Sequence, residues 1–203
     1  MRGSGFLAVD QGNSFFKLTL YGDMRLTSVR RVACDCAEEI FSVVDEWKPA
    51  CGAFCSVGRM DPRLVESLRL ALDGNLLILS HSTPLPISIA YSTPSTLGLD
   101  RVALAAGAVA LHPGESVVVV DAGTAVTIDA VSASGTFMGG RISPGLRLRF
   151  GSLQRHTAAL PLVEAEGPLP LAGDTTETAI RSGVVLGLAD EIVEAFRCYR
   201  EAY

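Results

Sequence analysis

The sequence predicts an α/β protein built from two similar units, and three observations carry that expectation. Short runs rich in β-branched and aromatic residues alternate with stretches of helical periodicity. A strand that ends on an aspartate, turns tightly and resumes as an alternating strand occurs twice, as "LAVDQGNSFFKLTL" and as "VVVVDAGTAVTID". A Pro/Ser/Thr-rich connector and an Ala-rich helix separate the two copies, so Asp10 and Asp121 hold matched places in an internal duplication.

Composition narrows the class. With 203 residues, 48% apolar and 19% charged, the chain can build one ordinary domain or two lean ones, without long disordered tails. The net charge of -5, with no run of Lys and Arg, argues against a nucleic-acid face. No apolar run reaches membrane-spanning length, and too few apolar residues precede Asp10 for a secretory segment, so no membrane partner and a cytoplasmic location are expected. Five cysteines suit no disulfide framework, and Cys34-x-Cys36 with Cys51-x3-Cys55 fits no common zinc spacing; buried free thiols are expected.

The first unit is placed at residues 1–92. Its opening strand leads through a Gln-Gly turn into a second, with Phe16, Leu18 and Leu20 on one face and Lys17, Thr19 and Tyr21 on the other. Gly22-Asp23 turns into a third strand. Residues 36–48 read as an amphipathic helix closed by Pro49, "CGAFCSV" as a buried strand, 61–73 as a helix entered at Asp61-Pro62, and "NLLILS" as a further strand. The Pro/Ser/Thr-rich connector "SHSTPLPISIAYSTPST" follows.

Residues 93–203 form the linking helix and the second unit. Gly98-Leu99-Asp100-Arg101 opens a helix that runs to about Leu111. Strands are expected at 116–121, 124–131 and about 136–142, with Ser134-Gly135 as a turn. The four valines before Asp121 suggest a strand buried on both faces at the centre of its sheet, with Asp121 where it emerges and Gly123 free to take a positive φ. In the next strand Val126, Ile128 and Ala130 face one way, and Thr127 and Asp129 the other. Pro144-Gly145 starts a helix, and a last helix spans about Thr176 to Tyr203. The two further strands of the first unit have no counterpart here, so the second unit is expected to be shortened at its C-terminal end, by nature or because the sequence is a fragment.

The repeated turn has its own chemistry. A glycine bend exposes successive backbone N–H groups, and nearby hydroxyl or amide side chains add donors, which together make a concave anion site. Asn13, Ser14 and Thr124 supply such side chains, Lys17 can neutralise phosphate charge, and a strand-end carboxylate can hold Mg²⁺ or its waters. Either turn alone is more often a plain hairpin. Two at matched places suggest one crevice that grips a phosphate chain from both sides.

The ordered set "DQGNSFFK", "GLDR", "DAGTA", "GGRISPG", "ALP" and "TTETAIRSG", from Asp10 to Gly183, resembles the motif series of type III pantothenate kinases. That family lies within the superfamily of acetate and sugar kinases, heat-shock ATPases and actin. The resemblance implies two duplicated actin-like (ribonuclease H-like) units with a nucleotide cleft between them. It also implies ATP-dependent phosphorylation of pantothenate to 4'-phosphopantothenate, the first step of coenzyme A biosynthesis. By the same resemblance Asp10, Gln11, Gly12, Asn13, Ser14, Phe15, Phe16 and Lys17 form the first phosphate loop, with Asp10 at Mg²⁺. Asp121 helps hold a monovalent cation, K⁺ or NH₄⁺, and Thr124 binds the ATP phosphates. Gly98, Leu99, Asp100 and Arg101 hold pantothenate, with Asp100 as the base on its hydroxyl and Arg101 near its carboxylate; Tyr91 and Thr176 also contact substrate, Thr176 across the interface of a homodimer. Gln11 replaces a small aliphatic residue usual in the family, and Thr175 replaces Asp or Asn. The family's further strand and Gly-Gly turn near the nucleotide base have no counterpart in these residues.

Phosphoryl transfer asks a protein for positioning and charge neutralisation, and a carboxylate on the acceptor hydroxyl is the usual orienting base. Asp100 after a flexible connector suits that role; a plain helix N-cap is the alternative reading of the same residue. His156 lacks a partner at nucleophile-activating spacing, His81 and His112 read as solvated turn residues, and Arg141, Arg147, Arg149 and Arg155 could ring the cleft, though a solvated helix face explains most such runs. Two other functions fit the same scaffold: a non-catalytic nucleotide- or metabolite-binding regulator, and a kinase for another small alcohol.

Overall fold

The computed structural model describes residues 5–23, 25–58 and 60–203; the amino-terminal Met1–Ser4, part of the segment weighed as a leader, lies outside them. The chain forms mixed α/β structure with two sheets. It divides into two compact units, one holding the chain up to Pro84 together with Thr93–Ala103, the other Leu85–Ser92 with Leu104–Tyr203.

In the first unit β1 (Phe6–Gln11), β2 (Phe15–Gly22) and β3 (Arg25–Ala33) form an antiparallel meander. Alternation in β1 and β2 sends Leu7, Val9, Phe16 and Leu18 into the core, each at most 2% exposed. A single 3₁₀ turn, Cys34–Cys36, precedes α1 (Glu39–Trp47), where one continuous helix over 36–48 was expected. Lys48 ends α1 in the left-handed region, with φ 47°, so the stop comes one residue before Pro49. β4 (Cys51–Ser56) then returns parallel to β1. α2 (Pro62–Ala71) begins where expected: the Asp61 carboxylate accepts the Arg63 N–H at 2.9 Å and Pro62 occupies the first turn. β5 (Leu76–Ile78) completes the order β3-β2-β1-β4-β5. Ile40, Val43 and Val44 of α1 and Leu64, Val65 and Leu68 of α2 join Phe54 and the β1/β2 side chains in one core.

The connector contributes a two-residue strand, β6 (Ser88–Ile89), and a 3₁₀ turn at Pro94–Thr96, neither visible in its composition. After α3 (Leu99–Leu111), a second antiparallel meander runs through β7 (Val117–Ala122), β8 (Ala125–Val131) and β9 (Thr136–Pro144). The sheet order is β6-β9-β8-β7. The valine run is therefore an edge strand, half-exposed, and not the buried centre that its composition suggested. Whereas β1 pairs with β2 and β4, β7 pairs with β8 alone among the described residues; β-branching selects a strand but not its rank in the sheet. The buried centre is β8, whose residues Val126–Val131 are all covered. Gly123 does not take a positive φ; Gly114, Gly135, Gly139 and Gly167 do.

α4 (Leu146–His156) and α5 (Thr176–Ala202) finish the second unit. Thr175 caps α5 reciprocally: its hydroxyl accepts the Thr178 N–H at 3.1 Å, and its own N–H donates to the Thr178 hydroxyl at 3.0 Å. Leu188 and Ala195 of α5 cover Val126 and Ile128 of β8, while Ile180 and Val184 pack with Phe150 of α4. The cysteines are all free, but none is fully buried, against the expectation of buried thiols: Cys51 is exposed and Cys34, Cys36, Cys55 and Cys198 are half-buried.

Candidate active site

The first polar turn is closed by one bond, from the Gly12 N–H to the Phe15 carbonyl at 3.0 Å, and Asn13 and Ser14 are exposed at its tip. Since Val9 faces the core, Asp10 faces the opposite side of the sheet. Its cross-strand partners are Lys17 on β2 and Cys55 on β4, and partners in register share a face. Gln11 turns back toward the core, where its Oε1 is buried without a hydrogen-bond partner. Burial, followed by the charges of Asp10 and Asp100, pushes the Cys55 thiol up to about 12. Asp10, Lys17 and Cys55 thus share one face of the first sheet, and the charge of Asp100 also raises the Cys55 thiol.

The second carboxylate is fixed locally. α3 begins at Leu99, with the Gly98 carbonyl accepting the Val102 N–H at 3.2 Å, so Asp100 lies inside the first turn and is not the N-cap. Its Oδ1 accepts the Arg101 N–H at 2.8 Å. A Cβ on residue 98 would stand 2.4 Å from that oxygen, so Gly98 leaves room for the carboxylate. The Arg101 side chain is buried. Just before, Leu97 is buried and its carbonyl accepts Nε2–H of His81 at 2.9 Å. His81, exposed in its turn as expected, therefore also ties down the approach to Gly98.

In the second unit Asp121 stands opposite Thr127, and the Gly123 N–H donates to the Ala125 carbonyl at 3.0 Å. Gly145 backs this turn: its N–H donates to the Thr124 carbonyl at 2.9 Å, and a Cβ there would lie 2.2 Å from the Gly123 oxygen. Thr124 itself is exposed. Thr127 is 7% exposed and its Oγ1 has no hydrogen-bond partner; Asp129, two residues on along the same face, is 1% exposed. Tyr91 sets its ring edge-on to Phe137, centroids 6.1 Å apart. Thr176 is exposed at the start of α5.

The arginines divide by role. Arg149 is structural: it donates to the Pro144 carbonyl at 2.7 Å, to the Ser143 hydroxyl at 3.2 Å and to the Glu191 carboxylate. Arg141 lies over the Tyr199 ring at 5.3 Å, and Arg155 bonds the Gly151 carbonyl on its own helix. Cys34, Cys55, His81 and Gly145 were missed as site residues because each acts through a partner remote in sequence. In the sequence Cys34 and Cys55 read as free thiols at no common zinc spacing, His81 as a solvated turn residue, and Gly145 as part of a Pro-Gly helix start and of the GGRISPG motif.

A strand-end carboxylate beside an amide-bearing turn, with a second carboxylate at a helix start, defines an α/β site suited to phosphoryl transfer. The chain belongs to the type III pantothenate kinase family, whose sequence model matches residues 6–197. It is 40% identical over 186 residues to the type III pantothenate kinase of Phocaeicola vulgatus, covering 92% of this chain and 76% of that one. With the enzyme of the same name from Christiangramia forsetii it shares 37% identity over 195 residues, 95% of this chain and 79% of the relative. In structure it matches a Campylobacter jejuni protein assigned to the Baf family of transcriptional activators, with TM-score 0.58 and 24% identity over 93% of this chain and 78% of that one. That likeness concerns the fold alone. No helix among the described residues is long and apolar enough to cross a membrane.

Proposed function

We propose that Asp100 is the base of this enzyme and that residues 10–17 form its first phosphate loop. As a type III pantothenate kinase, the chain transfers a phosphoryl group from ATP to pantothenate, giving 4'-phosphopantothenate on the way to coenzyme A. The observation that carries the assignment is the register that sets Asp10 beside Lys17 and Cys55 at the amide turn, with Asp100 in the first turn of α3. One carboxylate stands beside the amide turn, where phosphate would bind, and the other sits on a first turn with room made by Gly98, where an acceptor hydroxyl can be oriented. Lys17, in register with Asp10, neutralises phosphate charge.

In this reading the two meanders are duplicated actin-like units, supported by Asp10 and Asp121 each lying one residue before the end of the first strand of its meander. Thr124 then serves the same ATP as the first loop. Mg²⁺ neutralises the phosphate oxygens when bound, and Asp10 suits it because that ion takes one or two carboxylates and keeps its waters. A monovalent cation fits Asp121, beside which the buried Thr127 Oγ1 is an oxygen without a hydrogen-bond partner. Gly98, Leu99 and Arg101 would hold pantothenate together with Tyr91. A homodimer would bring Thr176 to the partner's pocket, a reading supported by exposed Val193 and Phe196 further along α5.

The test is phosphate transfer from ATP to pantothenate with Mg²⁺ and K⁺ present. Asp100→Asn should lower kcat by about 10²–10⁴-fold, the usual worth of a positioned base, while circular dichroism and ATP binding stay as in the parent. Retention of more than about a tenth of the turnover would remove Asp100 from that role.

A further inference from the structure

We infer that Cys34 is a positioning residue for phosphoryl transfer, clamping the carbonyls of the first phosphate loop so that the loop's amides face the nucleotide. The inference rests on the reading of residues 10–17 as that loop. Two bonds from one residue carry it. The Cys34 thiol donates to the Gly12 carbonyl, with sulfur and oxygen 3.6 Å apart, and the Cys34 backbone N–H donates to the Ser14 carbonyl at 3.2 Å. These carbonyls sit on either side of Asn13, at the tip of the turn.

Peptide planarity turns this clamp into a direction. In a trans peptide the C=O of one residue and the N–H of the next point opposite ways. Holding the Gly12 carbonyl toward Cys34 turns the Asn13 N–H away from it, and holding the Ser14 carbonyl does the same for the Phe15 N–H. The Gly12 N–H is already spent on the Phe15 carbonyl. The clamp thus sets two donors on the side away from Cys34, and successive oriented amides are what a phosphate oxygen needs. Without it, a loop with two exposed tip residues could rotate either peptide and present a carbonyl to the anion instead.

Cys34 is suited to this. It follows directly on β3, whose Ala33 is in register with Phe15, so the sheet delivers it to the loop. Burial and then the charge of Asp35 hold the thiol above its ordinary range, so it remains a protonated donor at neutral pH.

The experiment compares Cys34→Ala and Cys34→Ser with the parent, with Lys17→Ala as the control on the loop itself. Measured are KM for ATP and for pantothenate, direct binding of Mg-ATP, the melting midpoint without nucleotide, and amide exchange in a peptide spanning residues 11–16. Cys34→Ala should weaken ATP binding about fivefold, the worth of one modest hydrogen bond, with pantothenate KM within about twofold and faster exchange in the loop peptide. Cys34→Ser, which keeps a donor, should recover most of the ATP affinity. Three results would overturn the inference: ATP affinity unchanged in Cys34→Ala while Lys17→Ala loses it, equal loss for both substrates with a lowered melting midpoint, or failure of serine to restore binding. If Lys17→Ala itself leaves ATP binding intact, the phosphate-loop reading fails, and the inference falls with it.

Discussion

Cys55 shows how one side chain can report on a site without doing its chemistry. Its thiol is pushed up to about 12 by burial and by two carboxylates, so it stays neutral where a third charge would oppose phosphate. A raised value in the folded state means that the neutral thiol's contribution to stability is complete below the unfolded thiol value near 9.0 and fades as pH rises toward 12. Cys55→Ser should keep kcat/KM within about threefold, while Cys55→Asp should lower it at least about tenfold, one pKa unit's worth of added repulsion being a factor of ten. Steady-state kinetics at fixed Mg-ATP checks both. Gln11 is the converse case. Its buried Oε1 lacks a donor, a cost of about 1–3 kcal/mol, so Gln11→Met should raise the melting midpoint by about 2–4 °C or more in a thermal scan. As candidates, Asp10, Lys17 and Asp100 could be read from sequence because each belongs to a short motif. Cys34, Cys55 and His81 could not, since their roles exist only once strands pair or a turn folds back on Leu97.

At the scale of elements, the strands and helices largely follow the sequence pattern, and the departures have physical causes. The meanders were legible because alternation and turn residues are local signals. The rank of β7 was not, because a run of valines fits an edge as well as a centre; only the pairing of β8 on both sides decides which strand is buried. Gly145 backs the second turn, and the Arg149 clamp joins the end of β9 to α5. Gly145→Ala should place a methyl group against the Gly123 and Thr124 carbonyls and displace the turn, raising KM for ATP by about tenfold, a cost of the order of one broken backbone contact. The Arg149 clamp makes a pH prediction. The Ser143 hydroxyl, then the Arg149 guanidinium, hold the Glu191 carboxyl below its usual value. A lowered folded value stabilises the protein above pH about 4.5 and loses that contribution as pH falls through the folded value. The melting difference between parent and Glu191→Gln should therefore shrink between about pH 6 and pH 3. A constant difference would mean that the carboxylate charge contributes nothing to the joint between β9 and α5.

For the whole molecule, Asp10 and Asp121 each lie one residue before the end of the first strand of a meander, whereas the division of the chain is not a matter of one cut. The connector gives residues to the second unit before Thr93–Ala103 returns to the first, and composition has no signal for such a path. The proposal that both turns serve one triphosphate has a consequence that neither unit has by itself. Lys17 belongs to the first unit and Thr124 to the second, and remote, independent sites give effects that add within about 0.3–0.5 kcal/mol. If the two residues hold one nucleotide jointly, Lys17→Ala lets the phosphates shift, and the Thr124 contact is then already weakened before Thr124→Ala removes it. The double variant should lose less ATP binding energy than the sum of the single losses, by about 0.5–3 kcal/mol in titrations with Mg-ATP. Strict additivity would mean that the turns act separately, and the shared-nucleotide reading would have to be abandoned even if each single variant were impaired.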